Sequence, residues 1–119
     1  MSMTKGGTNI EQRSIILVPF PFSDLSSNKK RPALVVSNTE FNRKNEDVVC
    51  CLITSNPMAK DVIKITNSDM ESGFLEFDSM VKPYRIFTAS KNIVYKNLGK
   101  LKKEKFILVS KEVCTLVAR

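Results

Sequence analysis

Short apolar runs separated by turn-forming residues dominate this sequence and constrain its fold more than any other feature. Each run is about as long as one β-strand and is followed by Pro, Gly, Asn or Ser. Short strands at regular spacing with turn signals between them favour a small barrel over a doubly wound sheet. We therefore predict a mainly β domain of five or six short strands from the segments 14–25, 32–38, 48–57, 61–66, 72–83 and 85–101.

Two of these segments carry more specific expectations. In the first, Ile16, Val18, Phe20 and Phe22 share one face, and Pro19 falls on the other. Since proline cannot donate to a strand ladder, this end of the strand is expected at a sheet edge or a bulge. Segment 85–101 is expected to form a helical turn and a last strand before Gly99, and the polar stretch EFNRKNED, 40–47, to be a connection.

The apolar period changes in the C-terminal segment, 102–119. Its apolar residues recur at helical spacing, with Lys and Glu on the opposite side, and the stripe consists of Phe106, Val109, Val113, Leu116 and Val117. This pattern predicts one C-terminal α-helix. The first three strands are apolar on both faces, whereas a sheet with one wet face alternates. One face can fill a barrel and the helix can cover part of the other, so we expect a homodimer to cover the rest. The alternative is that the helix covers all of that face.

Length and charge bound the remaining possibilities. A chain of 119 residues forms one domain, which we place at 13–119 after a flexible lead-in at 1–12. The net charge of +7 indicates a polyanionic partner. No apolar run is long enough to span a membrane, and the three cysteines lack C-x-x-C spacing, which predicts reduced thiols in the cytoplasm.

Histidine is absent from the sequence. This excludes a Ser-His-Asp triad, a pair of catalytic histidines and histidine metal ligands. The acidic residues are scattered, so we predict no catalytic metal and no other cofactor. Any catalysis must then rest on positioning and on electrostatic stabilisation.

The segment KKRP, 29–32, sets three cations against the start of a buried strand. Because the residue before a proline is held in an extended conformation, Arg31 is expected on rigid backbone at the rim of the sheet. Its guanidinium fork matches a phosphate, and Lys29 and Lys30 add attraction for a polyanion. The alternative is a solvated loop followed by an arginine at a strand end.

Hydroxyl and cationic side chains recur at two further strand ends. Thr54 and Ser55 end the third strand, and Ser79 and Lys82 lie near a second proline. The alternatives are ordinary turn formation for the first pair and a charged strand edge for the second. Whether Thr54 shares an end of the sheet with Arg31 depends on strand direction, which the sequence leaves open.

Read together, these segments resemble the MazF/PemK family of toxins from toxin–antitoxin pairs. The resemblance runs from Ser14 to Leu101 and rests on IILVPFPFSDLSSNKKRPALVVSN, DVVCCLITSNP, SMVK and LGKL. It implies an SH3-like barrel with a C-terminal helix, dimeric, that cleaves single-stranded RNA without a metal. It also implies an acidic antitoxin as a partner, and catalytic roles for Arg31 and Thr54, with Ser55 beside them.

The sequence departs from the family pattern at two places. Many relatives carry Gly-Asp before the first strand, where this chain has Arg13-Ser14. Some carry an acidic residue where this chain has Ser79, so weak activity is expected. Two other functions fit an SH3-like barrel: a non-catalytic module that binds nucleic acid or peptides, and a DNA gyrase poison like the CcdB toxins. The second depends on a C-terminal Trp, and this chain has none.

Overall fold

The computed structural model describes residues 9–19 and 29–118, which form seven strands and two α-helices. The strands are β1 (Ser14–Pro19), β2 (Lys30–Val35), β3 (Asp47–Thr54), β4 (Ile63–Ile65), β5 (Met70–Gly73), β6 (Ser79–Ser90) and β7 (Lys96–Leu101). The helices are α1 (Thr39–Lys44) and α2 (Lys103–Val117). Single-turn 3-10 helices follow β4 and β6, at Asn67–Asp69 and Lys91–Ile93.

All seven strands belong to one antiparallel sheet in the order β4-β6-β3-β2-β1-β7-β5. Its two edge strands, β4 and β5, are joined by only the short 3-10 helix at Asn67–Asp69. The chain can step from one edge to the other in a single turn because the sheet curls into a half-barrel. The predicted mainly β fold with a C-terminal helix is confirmed, with seven strands in the described residues instead of five or six.

One face of the curled sheet, which we call the inner face, carries Ile15, Leu34, Cys51 and Ile53. Residues of both edge strands and of α2 pack into the same cluster: Ile65, Met70, Leu101, Phe106 and Val109. Helix α2 therefore packs against the inner, concave face of the sheet. The prediction that the helix covers part of the other face is wrong, because its buried residues belong to the inner cluster.

The opposite, outer face has its own buried cluster, which includes Ile16, Ala33, Val35 and Cys50. Ile10, before β1, and Ala89, late in β6, are buried in it. Strands that bury both faces explain why the first three runs of the sequence do not alternate. Adjacent Cys50 and Cys51 lie on opposite faces, as the period of a strand requires.

The C-terminal stripe is buried over only part of its predicted length. Phe106 and Val109 are buried and Val113 is half-buried, whereas Leu116 and Val117 are 52% and 82% exposed. Leu116 and Val117, in the last turn of α2, therefore continue the apolar stripe without being buried against the described chain. Neither helix in the described part of the chain is long and apolar enough to cross a lipid bilayer.

The segment predicted as a polar connection, 40–47, contains helix α1. Asn38 caps this helix by accepting a hydrogen bond from the Phe41 N–H at 2.7 Å. Asn42 is buried, donates to the carbonyls of Ile10 and Ser37, and shares a hydrogen bond with the Ser37 hydroxyl. The polar side chains of this segment form hydrogen bonds within the fold, but in the sequence a polar stretch is typical of a loop. This explains why the helix was not predicted.

Two other strand predictions differ from the structure. The segments around 79–90 form one long strand, β6, whose pairing with β3 shifts between Cys51 and Leu52. Strand β7 runs through Gly99 to Leu101 instead of ending before that glycine. Strand β1 lies inside the sheet, yet its pairing with β7 stops at Leu17, so Pro19 has one unpaired side as expected. Phe20, Phe22 and the loop up to Asn28 lie outside the described residues.

Residues 10–12 of the predicted lead-in pack against the domain, and residues 1–8 lie outside the described part. Ile10 is buried, and Gln12 donates from its backbone to the Thr39 hydroxyl and from its amide to the Val36 carbonyl. Glu11 forms an ion pair with Lys100. These contacts tie the start of the described chain to α1 and β7.

Three residues with positive φ shape the β1–β7–β5 side of the sheet. Gly73 and Gly99 face each other across β5 and β7, and a Cβ on either would lie 1.9 or 2.2 Å from a backbone oxygen of the other strand. Arg13 adopts φ 79°, in the left-handed region that favours glycine. Its guanidinium donates to Glu71 and to the Leu101 carbonyl, which offsets the strain of that conformation.

Candidate functional site

Arg31 and Thr54 lie at the same end of two neighbouring strands. Strands β2 and β3 are antiparallel, with Val35 opposite Cys50, Leu34 opposite Cys51 and Ala33 opposite Leu52. Extending this register by two residues sets Arg31, near the start of β2, opposite Thr54, the last residue of β3. The strand direction that the sequence leaves open therefore brings these two side chains together.

Both side chains project from the outer face. Arg31 pairs with Val18, and Thr54 lies two residues beyond Leu52, the partner of Ala33. Residues directly opposite each other in a sheet, and residues two apart in a strand, point to the same side. Lys82 pairs with Leu52 and so joins the same face one row further along.

Arg31 is half-buried and lies within β2, which begins at Lys30, two residues before the predicted strand start at Pro32. Within residues 9–19 and 29–118 its guanidinium makes no hydrogen bond or ion pair. The backbone is fixed by pairing with Val18 and by the following Pro32. A guanidinium that is carried on fixed backbone and has no protein acceptor in the described chain can bind a phosphate through both donors of its fork.

The hydroxyl of Thr54 is oriented by the turn that follows it. Its oxygen accepts the Asn56 N–H at 3.1 Å, which leaves the hydroxyl proton to be donated elsewhere. Ser55 is the next residue and is exposed. The sequence alternative of turn formation is thus correct for Thr54, and it is compatible with a role toward a ligand.

The remaining predicted residues are Lys29, Lys30 and Ser79, of which Lys30 and Ser79 do not lie on the outer face with Arg31 and Thr54. Lys30 and Ser79 belong to the inner face, because Lys30 pairs with Pro19 and Ser79 with Ile65 of the inner cluster. Ser79 is buried, and its hydroxyl donates to the Phe77 carbonyl at 2.9 Å. Lys29 precedes β2 and is exposed. The structure therefore divides the predicted residues between two sides of one sheet end.

An inner-face cavity of about 430 Å³ opens at this end of the sheet. Its walls come from β1, β2, β7 and the turn between β5 and β6, and they include Leu17, Lys30, Pro32, Phe74, Leu75, Glu76, Phe77, Ser79, Lys96 and Leu98. The Lys30 ammonium lies 4.6 Å from the centre of the Tyr95 ring, a cation–π contact at the same rim.

Sequence reasoning missed the aromatic residues in the wall of this cavity, Phe74 and Phe77, and Tyr95 next to Lys30. Phe74, Phe77 and Tyr95 are 66%, 68% and 65% exposed, although aromatic side chains of this size usually bury most of their surface. Leu75 and Phe77 alternate with Glu76 and Asp78 in the sequence, which is typical of a strand, but 74–78 forms a turn. The only sign in the sequence that the phenylalanines lie in a turn, with their rings exposed, is the neighbouring Gly73.

The thiols do not contribute reactive groups to either face. Burial raises the pKa of both Cys50 and Cys51 to about 12, so both are neutral thiols at physiological pH. Cys114 is exposed on α2. Among the described residues, no three His, Cys, Asp or Glu side chains lie close enough together to hold a metal ion.

A family model described as PemK-like, MazF-like toxin of type II toxin–antitoxin systems matches residues 11–117. The chain belongs to this toxin family. The match covers the whole sheet and α2, including both faces of the end that carries Arg31 and Thr54. A search of curated protein sequences gave no significant match.

Solved MazF structures share this fold at low sequence identity. The MazE–MazF complex of Deinococcus radiodurans (Form-III) gives a TM-score of 0.75 at 14% identity, over 92% of this chain and 96% of that one. A mycobacterial endoribonuclease in complex with its cognate antitoxin gives 0.71 at 19% identity, over 90% and 91%. Mycobacterium tuberculosis toxin MazF-mt6 gives 0.67 at 15%, over 87% and 94%. At these identities the likeness shows the PemK/MazF-like fold.

Proposed function

We propose that this toxin is a sequence-selective endoribonuclease that cleaves single-stranded RNA without a metal ion. The observation that carries the proposal is the shared strand end and shared face of Arg31 and Thr54. These are the two residues to which the family resemblance assigns catalysis. Solved structures with this fold include proteins named endoribonuclease, which supports the same reaction class.

In the proposed reaction the 2′-oxygen of one nucleotide attacks the adjacent phosphorus. The bond from phosphorus to the 5′-oxygen of the next nucleotide breaks, the 2′-hydroxyl proton passes to water, and the leaving oxygen takes a proton from water. The products are a 2′,3′-cyclic phosphate and a 5′-hydroxyl end. Charge builds on the non-bridging oxygens of the five-coordinate phosphorane, and the guanidinium of Arg31 stabilises that charge.

Thr54 donates its hydroxyl proton to a non-bridging oxygen or orients the 2′-hydroxyl, and Ser55 assists from the turn. Lys82 on the same face attracts the phosphate backbone, together with Lys29 before β2 and Lys30 on the inner face. No histidine is available as a general base, and the Ser79 hydroxyl is committed to the Phe77 carbonyl. The rate therefore rests on electrostatics and positioning, and we expect it to be low.

The partners in this proposal are an acidic antitoxin and a second copy of the chain. A net charge of +7 attracts an acidic, partly disordered segment, which would compete with RNA for the basic surface. The solved MazE–MazF complexes support an antitoxin as a partner. A two-fold homodimer in the cytoplasm accounts for apolar side chains that remain exposed, such as Ile86 and Ile107.

The test is cleavage of a long single-stranded RNA in the presence of EDTA, with wild type and Arg31→Ala in parallel. We expect wild type to produce fragments that end in 2′,3′-cyclic phosphate, and the variant to produce almost none. Intact RNA with wild-type protein across salt and pH would contradict the proposal. Retained RNA binding in that case would favour the non-catalytic binding module.

A further inference from the structure

The cavity on the inner face has no role in the reaction proposed above. It adjoins the catalytic pair, since Lys30 lines it and the next residue, Arg31, projects to the other side of the sheet. Its walls combine two exposed phenylalanines, Phe74 and Phe77, with two lysines, Lys30 and Lys96. Exposed aromatic rings next to cations are the composition of surfaces that bind single-stranded nucleic acid.

The turn that carries the phenylalanines is held at both ends. The Asn67 side chain accepts the Leu75 N–H at 2.6 Å and donates to the Leu75 carbonyl at 2.9 Å. The Ser79 hydroxyl donates to the Phe77 carbonyl at 2.9 Å. Gly73, directly before Phe74, is locked against Gly99. The rings are therefore presented by fixed backbone, which lowers the entropy cost of binding a ligand between them.

We propose that this cavity binds one unstacked nucleobase of the single-stranded RNA, with Phe74 or Phe77 stacked on the base and Lys30 and Lys96 beside its phosphates. This inference rests on the proposed function and adds to it the place where sequence is read. A volume of about 430 Å³ is within the range of pockets that hold small planar ligands. Single-stranded RNA is recognised in this way because its bases can be splayed out onto aromatic side chains.

Two polar groups in the cavity give it selectivity. The Glu76 carboxylate accepts hydrogen bonds, and the Ser79 oxygen keeps its acceptor capacity while its proton is donated to Phe77. Acceptors of this kind read N–H groups on the edge of a base. Glu76 is thus assigned as a specificity-determining residue, which discriminates among bases without contacting the phosphate that is cleaved.

Charge distinguishes RNA from an apolar peptide as the ligand of this cavity. An apolar peptide side chain would satisfy the phenylalanines alone, whereas Lys30 on β2 and Lys96 on β7, the two strands that flank β1, match the phosphates on either side of a base. The cation–π contact with Tyr95 keeps Lys30 at the rim. We therefore assign the cavity to RNA.

The experiment measures binding separately from cleavage. All proteins carry Arg31→Ala so that the RNA stays intact, and the affinity of a fluorescein-labelled single-stranded RNA of mixed sequence is measured at several salt concentrations. Adding Phe74→Ala and Phe77→Ala should weaken binding about 5- to 150-fold with an unchanged salt slope, because stacking is not ionic. Adding Lys96→Ala should lower the salt slope by about 0.7.

The matched control is Phe41→Ala. Phe41 is also exposed, at 38%, but it lies on α1, at the opposite end of β2 and β3. It should leave RNA affinity unchanged, and thermal unfolding should show that all variants fold. Equal affinity of the Phe74/Phe77 variant and its parent would overturn the inference while the proposed function stands. If the parent binds no RNA at all, the inference and the proposed function both fail.

The preference for a particular base near the cut is measured in proteins that retain Arg31, by sequencing the ends of the RNA fragments. Glu76→Gln, which replaces an acceptor oxygen with a donor, should change the preferred base at one position near the cut. An unchanged base preference would overturn the role assigned to Glu76.

Discussion

Two sides of the same sheet end carry different chemistry. On the outer face, Arg31, Thr54 and Lys82 offer a guanidinium, a hydroxyl and an ammonium beside a buried aliphatic cluster. On the inner face, Phe74 and Phe77 form an aromatic cavity with a carboxylate and two lysines. The first arrangement suits a phosphate with developing charge, and the second suits a planar base.

The difference between the faces follows from the period of a strand. Lys30 and Arg31 are neighbours in one basic run, yet they point to opposite sides of β2. A basic run in a loop would act as one patch, whereas the same run within a strand serves two sites. Under the proposed function, the cations of segment 29–31 are divided between RNA binding and RNA cleavage.

The largest effect is expected for Arg31→Ala. Removing a fixed donor that stabilises transition-state charge typically costs about 3–4 kcal/mol, so single-turnover cleavage should fall about 10²- to 10³-fold. Affinity for uncut RNA should fall much less. Arg31→Lys serves as the matched control, because it keeps the charge and loses the fork, and should give an intermediate rate. Equal losses in Lys29→Ala and Arg31→Ala would contradict the special place of Arg31.

The next largest effect is on stability, for Gly99→Ala. The new Cβ would lie 2.2 Å from the Ser72 carbonyl oxygen, at a residue with φ 140°. Backbone strain of about 1–3 kcal/mol plus the displaced β5 should lower the free energy of unfolding by about 3 kcal/mol in urea titrations. Ser72→Ala, at an exposed neighbour, should stay within about 0.5 kcal/mol.

Gly99→Ala also distinguishes the role of the inner face in RNA binding from the role of the outer face in cleavage. Because β5 leads directly into Phe74, the variant should weaken RNA binding more than it slows cleavage at saturating RNA. A variant that binds RNA normally and cleaves slowly would place the cavity outside the RNA path.

Thr54→Val tests the second member of the outer pair. The substitution keeps the shape of the side chain and removes its hydroxyl, and a hydrogen bond to a charged group is worth about 1.5–3 kcal/mol. Cleavage should fall about 10- to 100-fold, while Thr54→Ser retains most of the activity. Should Thr54→Ser be as slow as Thr54→Val, the methyl group and not the hydroxyl would be what matters.

The smallest expected effect concerns the ion pair that holds the turn before β1, away from both faces. Hydrogen bonding to Arg13 lowers the pKa of Glu71 below its ordinary value of 4.5. A carboxylate with a lowered pKa stabilises the fold above pH 4.5, and that contribution is lost as pH falls through the lowered pKa. Glu71→Gln should therefore flatten the loss of stability on acidification.

This effect should be slight, since Glu71 is exposed and salt screens the pair. Urea midpoints at neutral pH and near pH 3.5, at low salt, measure it, and neither cleavage nor RNA affinity at neutral pH should change. Glu71→Gln that loses stability equally at both pH values would point to packing instead of charge.

Much of the architecture could be predicted because it depends on local patterns. Alternation, proline positions and the change of period before α2 identify the strands and the helix. Helix α1 could not be predicted, since the contacts of Asn42 with Ile10 and Ser37 join distant segments. The continuity of β6 was also hidden, because its pairing with β3 shifts at Cys51 and Leu52 around a proline.

The candidate site divides in the same way. The basic run at Arg31 and the hydroxyls at Thr54 are visible in the sequence, and only strand pairing brings them to one end and one face. The cavity could not be predicted from the sequence, because its walls come from four separate segments. Phe74 and Phe77 look like strand residues until the hydrogen bonds from Asn67 fold 74–78 into a turn.

One measurement tests the division between the two faces most directly. RNA affinity and the single-turnover cleavage rate at saturating RNA are determined in the same preparations of wild type, Arg31→Ala and Phe74→Ala/Phe77→Ala. We predict that Arg31→Ala binds RNA and does not cut it, and that the phenylalanine variant binds weakly and cuts near the wild-type rate once saturated. Two variants that lose binding and cleavage in the same proportion would contradict this account.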